Sequence, residues 1–216
     1  MISLIKNKIL HHILFFMVAF AVVALVPSQV IKMDRYILVI FFLLIMASVC
    51  IFYFKNEFRD IVEQTSKREF ILLIITTLLI HGICTYYIIK FIAQPIWPFD
   101  SHGTSFLLMN NFFVWAKPFE VFVQQLLIIL LVTKLHQSDM SLKKIITFFV
   151  FAFGAVHIFQ IFKTDIIIGL GFTFFAILAS FIFPYMILRV RNGYVYNFMI
   201  HLVAYDIAAL LAWSFY

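Results

Sequence analysis

The sequence predicts an all-α protein, a polytopic transmembrane helix bundle of about seven spans, and its composition and the length of its apolar segments predict this class. Of the 216 residues, 65% are hydrophobic, 12% are charged and 29 are Phe, and the mean hydropathy is +1.08. Soluble domains carry about 25% charged residues, and a soluble fold of this size has no interior large enough for so much apolar surface. We therefore expect a multi-pass protein of the cell membrane.

Seven apolar stretches are long enough to cross a bilayer, for which a helix needs about 20 residues. They cover residues 9–29, 36–54, 70–92, 112–133, 145–162, 166–188 and 195–215. Short segments rich in charged or turn-forming residues separate them. We expect residues 1–104 to hold the first three spans and an outer loop, and residues 105–216 to form a core of four spans.

The distribution of basic residues predicts which way the bundle faces. With seven spans and a cytoplasmic N-terminus, eleven of the sixteen Lys and Arg residues lie on the cytoplasmic side, and five lie outside. The eleven are Lys6, Lys8, Lys55, Arg59, Lys67, Arg68, Lys134, Lys143, Lys144, Arg189 and Arg191. The five are Lys32, Arg35, Lys90, Lys117 and Lys163. This bias fits the positive-inside rule. Because the cations stand singly or in pairs between spans, we expect membrane lipid and no nucleic acid as their partner.

A few ionisable side chains fall inside the predicted spans, where they are costly and usually face the bundle interior. They are His81, Glu120, His157, His201 and Asp206, with Gln124 and Gln125 as neutral companions. At a rise of about 1.5 Å per residue, Gln124, His157 and Asp206 lie at nearly the same depth. We expect one polar pocket between spans four, five and seven. His81 has no polar partner nearby in the sequence and is interpreted as a structural residue.

Three motifs in the second half of the chain resemble those of a known family. The segment "FGAVH", 153–157, has the form F-x-x-x-H; "RVRNGYVYNFMIHLVAYD", 189–206, places a His in a helix after a basic turn; and "QQ" at 124–125 precedes His157 by thirty-three residues. In order and spacing they are similar to the motifs of the CAAX-protease and bacteriocin-processing family of intramembrane metallopeptidases, in which a Glu pair stands where this chain has "QQ".

The resemblance implies catalytic roles for the residues that match the family motifs. The residues that depart from the motifs cannot be given the same roles. In the family, the first Glu and the motif His activate a water, a divalent metal such as zinc takes part, and a second His helps to hold the oxyanion. His157 and His201 match these two histidines and are the only candidate metal ligands. Gln124 replaces the Glu, and a carboxamide cannot act as a general base. Glu120 and Asp206 are therefore the candidate substitutes.

The resemblance also implies substrate-binding positions and further departures from the family pattern. Phe153 from the F-x-x-x-H motif, Gln125 from the pair and Tyr205 are candidates for contact with a substrate. Tyr205 stands where the family has an Asn, and Ile129 stands where it has an Arg.

Three functions remain open from the sequence. The first is an inactive relative that binds a peptide, a lipid or a partner helix in an intramembrane polar cavity. The second is an active CAAX-type endopeptidase that uses Glu120 or Asp206 with His157 and His201 on a prenylated or peptide substrate. The third is a transporter or proton relay built on Glu120, His157 and Asp206.

Overall fold

The protein is described by a computed structural model that covers residues 10–11, 13–22, 36–63, 66–93, 110–162 and 166–215. Every element in these ranges is helical. The α-helices are α1 Ile13–Val22, α2 Tyr36–Tyr53, α3 Lys55–Glu63, α4 Lys67–Phe91, α5 Lys117–Gln137, α6 Leu142–Phe149, α7 Ala155–Ile158, α8 Ile166–Arg189 and α9 Gly193–Phe215. Two π-helical segments, Phe112–Ala116 and Val150–Gly154, and a 3-10 segment, Phe159–Phe162, complete the helical runs.

Five helical stretches are long and apolar enough to cross a membrane. They are Tyr36–Tyr53, Lys67–Phe91, Phe112–Gln137, Ile166–Arg189 and Gly193–Ser214. The all-helical class is thereby confirmed over the described ranges, whereas the count of seven spans is not. The predicted first span is described only as the short apolar helix α1 and two residues before it. The predicted fifth span consists of the consecutive pieces from α6 to Phe159–Phe162.

The α5 helix lies at the centre of the bundle. In the most apolar 18-residue part of the span that contains α5, 61% is buried, against 22–39% for the other four candidate spans. The helices α2, α8 and α9 pack on α5, and α4 packs on α9. A polar side chain in the buried part of α5 is thus held among other helices, where it needs a protein partner. The predicted outer loop falls largely on residues 94–109, which lie outside the described residues.

Each π-helical segment stands beside a backbone carbonyl that receives a side-chain donor from another helix. Pro118 has no N–H to donate to the carbonyl of Val114 four residues earlier, and His81 Nε2 lies 3.2 Å from that oxygen. In the second segment, Ser180 Oγ donates to Phe149 O at 3.2 Å. π-Helical segments are frequent at functional sites. Here the two side-chain contacts connect the start of α5 to α4, and α6 to α8.

A tight turn between α8 and α9 fixes the start of α9. Asn192 adopts a left-handed backbone conformation with φ 56°, and the N–H of Gly193 donates to Val190 O at 2.9 Å. A Cβ at Gly193 would lie 1.8 Å from Met186 O, so only glycine fits there. Farther along α9, the buried Asn197 donates from Nδ2 to Phe183 O at 3.1 Å. These contacts set the register of α9, which carries the candidate site residues His201, Tyr205 and Asp206.

Candidate functional site

Most of the ionisable and carboxamide side chains inside the described spans fall into two groups. The first, the α5–α9 cluster, consists of Lys117, Glu120, Gln124, Gln125, His201 and Tyr205. The second, the His81–Asp206 pair, joins α4 to α9. Asp206, which the sequence places in one pocket with the α5 residues, has its carboxylate hydrogen-bonded to His81 on α4.

Glu120 is held by two donors from its own helix. Lys117 Nζ donates to Glu120 Oε2 at 2.9 Å, and Gln124 Nε2 donates to Glu120 Oε1 at 3.0 Å. The ammonium of Lys117 also lies 4.4 Å from the ring centre of Tyr205, a cation–π distance. Both carboxylate oxygens are therefore occupied. Lys117, which the sequence places towards the outer side, is 1% exposed and lies within the stretch Phe112–Gln137.

Gln125 and His201 join α5 to α9 directly. Gln125 Nε2 lies 2.7 Å from His201 Nδ1. Since an amide nitrogen is a donor only, His201 accepts at Nδ1 and carries its proton on Nε2. The His201 ring stacks on Tyr205 at a centroid distance of 5.4 Å and lies 5.6 Å from the ring of Phe183. Gln125 Oε1 is buried without a hydrogen-bond partner.

His157 lies on α7, directly after the second π-helical segment. Its Nδ1 donates to Phe153 O at 2.7 Å, four residues earlier, which leaves the lone pair on Nε2. Phe153 stacks on Phe149 with ring centroids 4.8 Å apart, so its partly buried side chain packs against the hydrophobic core. Gly154 lets this motif pack closely on α8, because an added Cβ would lie 3.1 Å from Ile177 Cγ1.

His81 and Asp206 form a buried pair that the sequence reasoning missed. His81 Nδ1 lies 2.7 Å from Asp206 Oδ1, and the two residues are 4% and 1% exposed. Asp206 follows His201 by five residues, which at 3.6 residues per turn turns it by about 140° away from the α5–α9 cluster. His81 and Asp206 each stand eleven residues after the predicted starts of their spans, 70 and 195. Their equal depth is the signal in the sequence that indicates a contact between them.

The described residues do not assemble a metal centre. Among them, no group of three or more His, Cys, Asp or Glu side chains is placed to hold a metal ion. Catalytic zinc sites use three protein ligands. In the described ranges, His157 and His201 lack a third ligand, because Glu120 is engaged by Lys117 and Gln124.

A partly open cavity of about 220 Å³ adjoins the α5–α9 cluster. Its walls come from α2, α3, α4, α5 and α9, and they include Ile51, Ile74, Phe122, Leu126 and Phe198. Gln125 is the one residue that belongs both to this wall and to the α5–α9 cluster. The walls are otherwise almost entirely apolar, in contrast to the polar pocket that the sequence predicts.

No protein-family model, no curated protein and no solved structure matches the chain. The resemblance to the CAAX-protease and bacteriocin-processing family accordingly stays a prediction.

Proposed function

We propose that this membrane protein binds a hydrocarbon chain of a lipid, or of a lipid-modified partner, without hydrolysing it. The apolar cavity between α2, α4, α5 and α9 is the observation that carries the proposal. At about 220 Å³ it is smaller than the roughly 300–1,000 Å³ of pockets for drug-sized ligands. A segment of one hydrocarbon chain suits both its size and its lining, whereas a peptide would leave its backbone polar groups unpaired there.

The arrangement of the carboxylates supports binding without hydrolysis. Gln124 and Gln125 cannot accept a proton from water. Both oxygens of Glu120 are engaged by Lys117 and Gln124, and Asp206 faces His81. His157 Nδ1 bonds to Phe153 O at 2.7 Å and not to a carboxylate.

The proposal is tested by filling the cavity. Ile74 lines it, whereas its neighbour Ile75 is 58% exposed on the outer surface of the same helix. We expect Ile74→Trp to lower labelling of the cavity by a lipid with a photoactivatable acyl chain, and Ile75→Trp to leave it unchanged. Each excluded methylene costs about 0.8 kcal/mol, so excluding two lowers binding about tenfold. Equal labelling of the two variants, with equal thermal stability, would contradict the proposal.

An endopeptidase is the second candidate, and the match of His157 and His201 to the two motif histidines of the family that the sequence resembles favours it. It requires Glu120 to leave Lys117 and reach a water beside His157. Cleavage of a peptide by the purified protein, abolished by His157→Ala at unchanged stability, would establish this function in place of the first.

Transport is a third candidate, which the buried pairs Lys117–Glu120 and His81–Asp206 favour. Charged pairs inside a bundle often mark ion pathways. A flux in liposomes that depends on pH or membrane potential, and that is lost in Glu120→Gln, would support it.

A further inference from the structure

Several cations stand next to residues that line the cavity. Lys67 and Arg68 begin α4, two to three residues before the lining residue Phe70. Arg191 precedes the lining residue Tyr194 by three residues. The rings of Phe70 and Tyr194 lie 6.3 Å apart, so the cations of α4 and of the α8–α9 turn flank the same end of the cavity.

The described carboxylates near this end are already engaged. Glu69 accepts a hydrogen bond from Tyr196 Oη at 2.9 Å, and Glu57 on α3 pairs with Lys134. Lys67, Arg68 and Arg191 are exposed, and within the described residues none of the three pairs with a carboxylate. This end of the cavity therefore has positive charge available to an anionic group.

The start of α4 adds uncharged donors to these cations. Ser66 caps the helix without a side-chain hydrogen bond, so the first N–H groups of α4 lack an internal partner. An anion near a helix N-terminus is stabilised by these N–H groups and by the helix dipole. Exposed cations, free N–H groups and an adjoining apolar cavity together match an amphiphile with an anionic head.

We infer that the cavity takes one acyl chain of an anionic phospholipid whose phosphate is held by Lys67, Arg68 and Arg191. The inference rests on the proposed function and names its ligand class. The apolar walls around Ile74 bind the chain, and the cations select the headgroup. Basic residues at the cytoplasmic surface of a bundle bind anionic headgroups in this way, and the predicted orientation places these three on that side.

The experiment compares two lipids that differ only in headgroup charge. The full chain is reconstituted in vesicles that contain a photoactivatable-acyl phosphatidylglycerol or the matching phosphatidylcholine. We expect the anionic lipid to label the cavity at least about fivefold more, the factor that one cation near an anionic headgroup supplies. The preference should shrink at high salt, because exposed charges are screened.

Two double variants decide whether the preference belongs to this site. Lys67→Gln with Arg68→Gln should reduce labelling by the anionic lipid several-fold towards the phosphatidylcholine level, with Arg191 keeping part of the preference. Lys143→Gln with Lys144→Gln removes the same charge from exposed positions on α6, which does not line the cavity, and should preserve the preference. An equal loss in both double variants would overturn the inference, because it would indicate attraction to the whole surface.

The failure of the inference differs from the failure of the proposed function. If both lipids label the cavity equally and Ile74→Trp abolishes both signals, a chain binds without headgroup selection and only the inference is wrong. If neither lipid labels the cavity residues, both statements are wrong.

Discussion

His81 Nδ1 lies 2.7 Å from Asp206 Oδ1, while His81 Nε2 lies 3.2 Å from Val114 O. The carbonyl only accepts, so Nε2 carries a hydrogen. The bond at Nδ1 then needs one further proton, on the imidazole or on the carboxyl group. In either state the pair is neutral as a whole, which is the form that a buried position in a membrane tolerates.

We predict that His81 and Asp206 depend on each other for stability. His81→Ala and Asp206→Ala should each lower the free energy of unfolding by about 3 kcal/mol, since each leaves a buried polar group unpaired. The double variant should cost less than the sum, with a coupling of about 1–3 kcal/mol. The coupling is measured by unfolding the unaltered protein, the two single variants and the double variant in detergent micelles. Strict additivity would show that the 2.7 Å contact contributes nothing.

Lys117 and Glu120 give the second prediction. Glu120→Gln removes the carboxylate from an ammonium that is 1% exposed, so the free energy of unfolding should fall by about 3–5 kcal/mol. Lys117→Met together with Glu120→Gln should recover most of that loss, because the buried charge disappears with its partner. Unfolding midpoints in one detergent compare the variants. A single variant as stable as the unaltered protein would show that Lys117 needs no counterion.

Helix periodicity predicts contacts within one helix well and the facing of different helices poorly. The expectation that Glu120 and Gln124 share a face of their helix is confirmed by their 3.0 Å hydrogen bond. The same four-residue spacing brings His201 over Tyr205. Depth alone does not predict the partner of Asp206, because the partner also depends on the rotation of the residue about α9. Depth and rotation together exclude it from the face of His201 and leave α4 as its neighbour.

Two further features depend on tertiary packing, which periodicity does not describe. Lys117 stands at a helix start next to Pro118, a pattern typical of a loop edge. It is buried because Glu120 and the Tyr205 ring neutralise and cover it. The cavity arises because α2 packs on α5 while α4 packs on α9. The space between them depends on helix positions that no single segment specifies.

Gly193 gives the third prediction. A methyl group there would lie 1.8 Å from the backbone oxygen of Met186, so Gly193→Ala should destabilise the protein by roughly 3 kcal/mol, as overpacking does. Gly171→Ala is the matched control, because an added Cβ meets nothing within 4 Å in the described structure. There the change should stabilise α8 by about 0.5–1 kcal/mol. Equal unfolding midpoints would contradict the close approach at the α8–α9 turn.

The adjacent residues Gln124 and Gln125 give the fourth prediction, since the same substitution should lower the stability more at the first position than at the second. Gln124→Glu replaces an amide that donates to Glu120 Oε1 at 3.0 Å by a second carboxylate. This loses the hydrogen bond and adds repulsion, so the free energy of unfolding should fall by about 1–3 kcal/mol.

Gln125→Glu instead places its carboxylate 2.7 Å from His201 Nδ1, the distance that the amide nitrogen now has. The imidazole can take a proton and donate to the new carboxylate, so the new charge gains a partner of opposite sign that offsets part of the cost of burying it. We therefore expect a smaller loss than for Gln124→Glu. Unfolding in one detergent at pH 7 ranks the two variants. A larger loss for Gln125→Glu would show that His201 does not face Gln125, and it would remove the link between the cavity wall and the α5–α9 cluster.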